Sequence, residues 1–389
     1  MPVFGKRKKM NKKLLLIALT VLIITGINGC KKSNTDIVYK RKYISEIKNA
    51  RKHVSSYMVQ NFIPGANVAV SINGEMVYSE GFGWVSKDLD VRAKRSNKFR
   101  IGELSALFTN ALYLKLVDDG KINPDSAIQY YYHSFPVKKE GKITSKMLAN
   151  NISGIRPPQG DEEMKLVNTS IEKGLDLFKN DPLDMSPGEF QIASCYNHNL
   201  LGVVLEKATG EKFSNLLKSY LTDTLHMDNT VIDNPFTTIK GRSDFYELNI
   251  LSQIINSGFY DLRVNAPSKG LLSNAEDLVK LGNAFLEGDY FTEETRTSLF
   301  EPLHLYKNNT SRMVNGWLVF KDNFGRTVYG LEGSVAGGSA ALVIYPEQKL
   351  VIGYACNLSS VLHETPVFLV ANKFLSTSDT REQTPSKLK

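Results

Sequence analysis

Strand patterns lie near both ends of this chain, and helical patterns lie between them. Two apolar runs flank Asn73-Gly74, and an Asn-Gly pair in that setting predicts a hairpin over about 67–83. Further strand patterns occupy 316–320, 341–345 and 349–355. Apolar residues at helical spacing predict helices over 43–60, 104–118, 197–207 and 363–375. We therefore expect an α/β (α+β) fold whose sheet is built from both chain ends, with an inserted all-α lobe.

The N-terminal segment has the pattern of a secretory signal peptide over residues 1–29. A basic flank precedes an apolar run at 14–25, which is shorter than the roughly 20 residues that a bilayer-spanning helix needs. The following Ile27-Asn28-Gly29-Cys30 resembles the lipobox of bacterial lipoproteins, whose cysteine is lipidated and becomes the mature N-terminus. This resemblance implies lipidation of Cys30, a polar tether over 30–42 and an extracytoplasmic protein anchored to a bacterial membrane. A signal peptide with an incidental cysteine, or an uncleaved anchor, remains an alternative.

Charge and cysteine content exclude several classes of protein. The formal net charge is +8, but six basic residues and no acidic residue lie in 1–29, so the remainder carries +2 (8 − 6) and indicates no nucleic-acid partner. Three cysteines are too few for a disulfide scaffold, and the six histidines show no metal-ligand spacing. We expect neither a metal nor another cofactor.

A series of short motifs from about 43 to 373 resembles the serine β-lactamase and penicillin-binding-protein superfamily, in particular the branch that contains class C β-lactamases. The order and spacing of the motifs carry the resemblance: Ile63-Pro64-Gly65-Ala66, Phe99-Arg100-Ile101-Gly102, Ser153-Gly154-Ile155-Arg156, Leu200-Leu201-Gly202, Ala275-Glu276-Asp277-Leu278 and Tyr345-Pro346-Glu347. It implies an antiparallel sheet flanked by helices in a domain over 43–376. The α/β part would comprise about 43–102 and 265–376, the α-lobe about 103–264, and a polar tail 377–389.

The first catalytic motif of that superfamily, Ser-x-x-Lys, is absent from its expected place. The serine needs a base one helical turn away to take its proton. After the Phe99–Gly102 anchor, Glu103 occupies the nucleophile position and Ala106 the lysine position. Ser105 cannot substitute, because Phe108 lies three residues after it.

The second and third motifs are also altered. The resemblance places Tyr-x-Asn on Ala193, Ser194 and Cys195, which removes the phenol. Tyr196, three residues after Ala193, either turns into the cleft in place of this phenol or is a packing residue. The third motif, Lys-Thr-Gly or His-Thr-Gly, falls on Leu331, Glu332 and Gly333, which removes the cation or imidazole. The retained Gly333 would let a ligand approach the strand backbone.

The resemblance defines a candidate cleft and its charge. We expect its lining to include Glu103, Ser105, Cys195, Tyr196, Glu332 and Ser334. Glu103 and Glu332 add carboxylates where cations are lost, so the cleft would favour a cationic or polar neutral group unless Arg100 or Arg156 turns inward. Alternatively, Glu103 only benefits from its position at a helix start.

Two other side chains near this cleft have a simple structural interpretation. His198 is interpreted as a packing histidine and Cys195 as an inert thiol, although a disulfide between Cys195 and Cys356 is also allowed outside the cytoplasm.

These features predict a cell-envelope lipoprotein that has lost serine-hydrolase catalysis. Such a protein would act by binding an envelope component, for example a cell-wall fragment, or an envelope protein partner. The alternative is an active peptidase, esterase or β-lactamase-like hydrolase with non-standard catalytic residues. A third possibility is a docking protein that does not use the cleft.

Overall fold

A nine-stranded antiparallel sheet drawn from both ends of the chain forms the centre of the fold. The computed structural model describes residues 36–160, 162, 170–305, 310–359 and 365–381, with only the backbone given for 376–381. The predicted signal peptide, Cys30, most of the tether and the end of the tail lie outside these residues. The strand order is β1-β3-β2-β14-β13-β12-β11-β10, with β4 paired to β3. The N-terminal hairpin thus meets the C-terminal strands where β2 pairs with β14, which confirms the predicted sheet.

The strands have the following bounds: β1 (Val38–Tyr39), β2 (Gly65–Ile72), β3 (Glu75–Ser86), β4 (Val91–Arg92), β5 (Phe99–Arg100), β6 (Val231–Ile232), β7 (Tyr246–Leu248), β8 (Ile254–Asn256), β9 (Leu271–Ser273), β10 (Met313–Val314), β11 (Trp317–Lys321), β12 (Thr327–Val335), β13 (Gly338–Tyr345) and β14 (Leu350–Cys356). Outside the main sheet, β5, β9 and β6 form a three-stranded sheet, and β7 pairs with β8.

The α-helices are α1 (Ile44–Gln60), α2 (Ser105–Asp118), α3 (Ser145–Ala149), α4 (Ile171–Gly174), α5 (Cys195–Thr209), α6 (Phe213–Leu216), α7 (Ala275–Leu286), α8 (Glu293–Ser298) and α9 (Val367–Arg381). Single 3₁₀ turns occupy Arg41–Tyr43, Gly102–Leu104, Ile128–Tyr130, Leu175–Leu177 and Arg263–Asn265, and a π-helical turn occupies Leu217–Thr222. Within the described residues, no helix is both long enough and apolar enough to cross a bilayer.

The predicted hairpin turn has the backbone that its residues favour. Asn73 and Gly74 both have positive φ, 51° and 73°. A two-residue turn with positive φ at both central positions matches the twist of the strands on either side, and Asn-Gly adopts it at low cost. The turn therefore sets the register of β2 against β3 next to it, and the register shifts by one residue between Val70 and Ser71.

Helices cover both faces of the central strands, so that β2, β13 and β14 are almost entirely buried. On one face, Tyr57 of α1 packs edge-on against Tyr354 of β14, with ring centroids 6.2 Å apart. On the other face, α7 lies so close that a Cβ on Gly353 would be 2.6 Å from the carbonyl oxygen of Ala275. Glycine at 353 is thus required for the helix to reach the sheet.

The middle of the chain is helical but not all-α, which corrects one part of the expected fold. Strand β6 pairs with β9, and β7 pairs with β8, although both pairs involve residues assigned to the all-α lobe. A buried ion pair holds this region: Arg100 Nε of β5 lies 2.7 Å from Asp233 Oδ2, just after β6. This ion pair joins residues that are far apart in the chain. The helical spacing of apolar residues therefore could not predict it.

Candidate functional site

The three altered motif stretches converge on one cleft of about 440 Å³. It lies at the start of α2, the start of α5 and strand β12. The motif positions that line it are Glu103, Ala106, Ala193, Ser194, Cys195, Leu331 and Glu332. Other parts of the chain contribute Asn151, Pro158, Gly160, His198, Ser268, Lys269, Met313 and Gly316. The structure therefore brings together the segments that the sequence motifs had placed there.

Glu103 occupies the nucleophile position and its carboxylate reaches across to strand β12. The residue lies in the 3₁₀ turn that precedes α2, and 46% of its side chain is exposed. Its Oε2 accepts a hydrogen bond from the backbone amide of Ser334 over 2.7 Å. Its Oε1 lies 3.9 Å from Nζ of Lys269. The carboxylate is thus shared between a backbone donor and a lysine.

Ser105 does not line the cleft, contrary to expectation. It is fully buried, and its Oγ accepts a hydrogen bond from the backbone amide of Leu271 over 3.1 Å. Position 105 directly follows the turn that carries Glu103, and its side chain points into the core. Its role is to join α2 to β9.

Tyr196 is also a packing residue. Its ring is buried and stacks on Phe178, with centroids 4.2 Å apart, and its hydroxyl donates to Oε2 of Glu162 over 3.0 Å. Burial raises the pKa of this phenol well above its ordinary value, with the neighbouring Glu162 carboxylate adding to the effect. It does not replace the missing motif tyrosine.

Neither Arg100 nor Arg156 supplies a cation to the cleft. Arg100 is engaged with Asp233 and donates to the carbonyl of Ala336 over 2.8 Å. Arg156 Nε lies 2.7 Å from Asp181, and its Nη1 lies 2.8 Å from Glu162. Hydrogen bonding to Arg156 is the main cause that lowers the pKa of Glu162 to about 2.

Among the described lining residues that the sequence motifs did not predict, Lys269 is the charged one. It lies in the segment between the Arg263–Asn265 turn and β9, outside all three motifs, and only 15% of its side chain is exposed. No local pattern marks it, because its approach to Glu103 depends on the way β9 pairs with β5. Its ammonium balances the Glu103 carboxylate.

Glu332 borders the cleft, but its carboxylate is held elsewhere. Its Oε1 accepts hydrogen bonds from the backbone amide and the hydroxyl of Thr365, over 3.1 and 2.6 Å. Directly paired residues share a face of a sheet, and Glu332 pairs with Ala341, which pairs with Tyr354. Its side chain therefore lies on the α1 face of the sheet.

The expected reversal of charge in the cleft is therefore wrong in one respect. It assumed two carboxylates, at 103 and 332, without a nearby cation. The structure directs only Glu103 toward the cleft, and Lys269 lies beside it. Because the side chains of adjacent strand residues point to opposite faces, the side chain at 332 lies on the face opposite to that of its neighbours in β12.

Gly333 is required by packing within the protein. A Cβ there would lie 2.4 Å from the carbonyl oxygen of Ile101 and 2.7 Å from the amide nitrogen of Glu103. The strand thus lies directly against the turn that carries Glu103. This contact, and not the approach of a ligand, is what the structure shows to need glycine. Ser334, the next residue, contributes its backbone amide to Glu103.

His198 lines the cleft and is not the satisfied packing histidine that we expected. It is 3% exposed, and its Nε2 has no hydrogen-bond partner among the described residues. Burial lowers the pKa of the imidazole to about 4, so the ring is neutral at pH 7. A buried nitrogen without a partner is costly, so this position is not explained by packing alone.

The two cysteines in the described part of the chain are not joined by a disulfide. Cys195 is the first residue of α5 and lies on the cleft. Cys356 ends β14, is fully buried, and has its Sγ 3.0 Å from Oγ of Ser339. Among the described residues there is also no group of three His, Cys, Asp or Glu placed to hold a metal ion.

A larger cavity of about 700 Å³ lies away from the motif positions. Its lining includes Lys98, Lys212, Lys240, Arg263 and Glu206. The two least exposed cations are already engaged: Lys98 Nζ donates to Asn229 over 2.9 Å, and Arg263 pairs with Asp261 at 2.6 Å. The smaller cleft is therefore the better candidate site.

Comparisons with known proteins agree with this fold. The family model described as "Beta-lactamase" matches residues 50–366. The mouse protein "Serine beta-lactamase-like protein LACTB, mitochondrial" is 25% identical, over 80% of this chain and 77% of that protein. "Protein flp" of Staphylococcus aureus is 24% identical, over 77% of this chain and 60% of that protein.

Solved structures support the same fold. A penicillin-binding protein homologue from Pyrococcus abyssi superposes with a TM-score of 0.73 at 18% identity, covering 85% of this chain and 77% of that one. FmtA from Staphylococcus aureus superposes with a TM-score of 0.73 at 19% identity, covering 92% and 95%.

Proposed function

Because this chain belongs to the beta-lactamase family, we propose that it is a cell-envelope lipoprotein that has lost serine-hydrolase catalysis and uses the family cleft to bind a polar envelope component. The observation that carries the proposal is the state of the nucleophile position. Glu103 stands there, and its carboxylate bonds to Ser334 and faces Lys269. A carboxylate engaged in this way does not perform the chemistry of an activated serine.

The losses at the other motif positions support the same conclusion. Ala106 has no group to accept a proton from residue 103, Ala193 replaces the phenol, and Leu331 replaces the cation. In a serine hydrolase, disabling the nucleophile and its base costs about a millionfold in rate. Serine acylation is therefore not the use that we assign to this cleft.

The Ser334 amide supports loss of catalysis in a second way. A backbone N–H beside the nucleophile position is the kind of donor that stabilises an oxyanion. Here that donor already bonds to Glu103 over 2.7 Å. A substrate carbonyl would have to displace a charged acceptor, which forms a stronger hydrogen bond than a neutral one.

The proposed location rests on the N-terminal sequence. The basic flank, the apolar run at 14–25 and the lipobox-like Ile27–Cys30 together support export and lipidation at Cys30. Two or more acyl chains on that cysteine would hold the domain at a bacterial membrane. The 30–42 tether would then place the cleft near the cell wall or near envelope proteins.

The ligand that fits this cleft best is a polar cell-wall fragment with a free amine. The Glu103 carboxylate is partly exposed and has its nearest cation at 3.9 Å, so a ligand amine can share it with Lys269. A ligand carboxylate can in turn use Lys269. The protein would then recognise the ends of a peptide, without cleaving it.

Covalent trapping tests the loss of serine catalysis. The full chain in detergent is incubated with a fluorescent penicillin and, separately, with a fluorophosphonate, and then analysed by intact mass and peptide mapping. We expect no adduct on any serine. A stoichiometric serine adduct would overturn the proposal and favour an active hydrolase with non-standard catalytic residues.

Calorimetric titration with a soluble cell-wall peptide tests the binding role. The peptide is compared with its N-acetylated form, on the wild type and on Glu103→Gln and Glu332→Gln. We expect tighter binding of the free amine and about tenfold weaker binding to Glu103→Gln, which corresponds to one charged interaction. Glu332→Gln is the matched control, because Thr365 holds that carboxylate on the other face. Equal affinities for all three proteins would rule out the cleft and favour docking elsewhere.

A further inference from the structure

The cavity of about 700 Å³ is separate from the motif cleft and has its own set of charges. Its lining shares no residue with the lining of the cleft. We propose that this cavity binds a phosphate monoester with a small apolar body, held by Lys98, Lys212 and Lys240. The inference goes beyond the proposed function, because it concerns another part of the domain and another class of ligand.

Segments that are far apart in the chain surround this cavity. Strand β6 contributes both of its residues, and the segment that follows contributes 237–240. Glu206 near the end of α5, the residues 212–214 and the residues 170–171 form further parts of the wall. A volume of about 700 Å³ is within the usual range for sites that hold a small molecule.

Lys98 is a buried lysine whose hydrogen-bond acceptors are neutral. It is 8% exposed, and its Nζ donates to Oδ1 of Asn229 over 2.9 Å and to the carbonyl oxygen of Lys240 over 3.2 Å. Burial is the main cause that lowers the pKa of this ammonium; the charge of Lys240 also lowers it, whereas Asp277 and Asp228 act in the opposite direction. Because buried charges are usually paired, an anion in the cavity would stabilise Lys98.

Two exposed lysines make the charge of the lining match that of a phosphate monoester. Within the described part of the chain, neither Lys212 nor Lys240 has an ion pair or a side-chain hydrogen bond. Arg263 is paired with Asp261 at 2.6 Å, so the three lysines and Glu206 leave a charge of +2 (3 − 1). A phosphate monoester carries about −1.5 to −2 at pH 7 and balances this charge, which a single carboxylate does not.

The rest of the lining offers hydroxyl groups and an apolar wall. Ser214 and Thr238 line the cavity, and their hydroxyls have no hydrogen-bond partner among the residues that the structure describes. Both can therefore donate to phosphate oxygens. Ile171, Val231 and Ile239 provide apolar surface beside these groups. Small-molecule sites combine a largely apolar wall with a few polar groups, which favours an ester with an apolar body over free phosphate.

Calorimetric titration of the full chain in detergent with phenyl phosphate tests the site. Phenol has the same ring without the charge, and inorganic phosphate has the charge without the ring. We expect phenyl phosphate to bind with a Kd of about 1 mM or lower, and each of the other two about tenfold more weakly. Equal affinity for phenyl phosphate and either control compound would overturn the proposal, as would no binding of phenyl phosphate.

Substitution of the exposed lysines tests which residues hold the phosphate. Lys212→Met and Lys240→Met should each bind phenyl phosphate about tenfold more weakly, which corresponds to one charged interaction. Lys240→Met keeps the backbone carbonyl that Lys98 contacts. Lys48→Met is the matched control, because it removes an exposed lysine of α1 that is not part of the lining. Wild-type affinity in both Lys212→Met and Lys240→Met would refute the proposal.

Lys269→Met distinguishes this cavity from the motif cleft. Lys269 lines the cleft and not the cavity, so its loss should leave the affinity for phenyl phosphate unchanged. Weaker binding of phenyl phosphate to Lys269→Met would place the phosphate in the cleft and overturn the proposal. The cell-wall peptide titration is a separate measurement, so the binding role of the cleft and the phosphate site can fail independently.

Displacement of phenyl phosphate identifies the source of the ester. Butyl phosphate represents a soluble ester, and detergent micelles that contain phosphatidic acid represent a lipid headgroup. Displacement by butyl phosphate alone assigns a soluble ligand, and displacement by phosphatidic acid assigns a site that admits a lipid. Displacement by neither compound would overturn the assignment to phosphate monoesters.

Discussion

The Glu103 carboxylate and the Ser334 backbone amide are joined by a 2.7 Å hydrogen bond that connects the turn before α2 to strand β12. The bond forms because Gly333 lets the strand lie against this turn, with no Cβ to separate them. Glu103 thus replaces the nucleophile and occupies the hydrogen-bond donor of Ser334. It also links the turn before α2 to strand β12. This relationship leads to a first prediction about stability.

Replacing Glu103 by alanine should destabilise the fold by about 1 kcal/mol. Hydrogen bonds to charged groups contribute roughly 1.5–3 kcal/mol, and the partial exposure of this carboxylate reduces the effect. Urea unfolding measures the change. Glu103→Gln keeps an acceptor for the Ser334 amide and should lose less stability than Glu103→Ala. Equal losses of stability in the two variants would argue against a stabilising hydrogen bond between residues 103 and 334.

Gly333→Ala should be strongly destabilising, by about 2 kcal/mol or more, because the new Cβ would meet backbone atoms at 2.4 and 2.7 Å. Gly330→Ala on the same strand is the matched control. Its Cβ would meet only the side-chain atoms Val343 Cγ1 at 3.2 Å and Phe320 Cε1 at 3.5 Å, apart from one backbone oxygen at 3.7 Å. Thermal unfolding of both variants checks the contrast, and similar melting temperatures would contradict it.

Arg100→Met should cost about 3 kcal/mol, measured by urea unfolding. The change leaves the fully buried Asp233 carboxylate with only Arg242, whose Nη1 is 3.5 Å away. Removing one partner of a buried ion pair leaves the other charge buried without compensation, which costs stability because that charge is not solvated by water. Lys218→Met breaks an exposed pair with Asp223 and should change stability by less than about 0.5 kcal/mol. A comparable loss of stability in Arg100→Met and Lys218→Met would mean that the buried Arg100–Asp233 pair contributes no more than the exposed pair.

His198 should make the protein less stable in mild acid. The folded-state pKa is about 4 and the ordinary value is 6.5, so the unfolded chain binds more protons between these values. The stability from this group is present above pH 6.5 and is lost as the pH falls toward 4, by about 2 kcal/mol at pH 5. Unfolding of the wild type and of His198→Gln at pH 7.5, 6.5 and 5 measures it. His198→Gln should lose less unfolding free energy than the wild type as the pH falls. Equal losses in the two proteins would disprove the assignment of this pH dependence to His198.

Local signals predicted much of the fold. The Asn73-Gly74 turn, the apolar runs of β13 and β14 and the helical spacing of α1, α2 and α5 all depend on residues near one another in the chain. The family resemblance then ordered these elements correctly, and the family model confirms it. The strands β6 to β8 were missed, because segments of two or three residues carry too little periodicity to be recognised.

The sequence by itself determined which chemical groups the motif positions lack, since Glu103, Ala106, Ala193 and Leu331 can be read directly from the chain. Only the tertiary structure decided which groups face the cleft. It turned Glu332 to the α1 face, buried Ser105 against Leu271, and brought Lys269 to the site. The physical reason is that the direction of a side chain follows from strand pairing and from the rotation of the helix that carries it. Both are fixed by contacts between residues far apart in the chain.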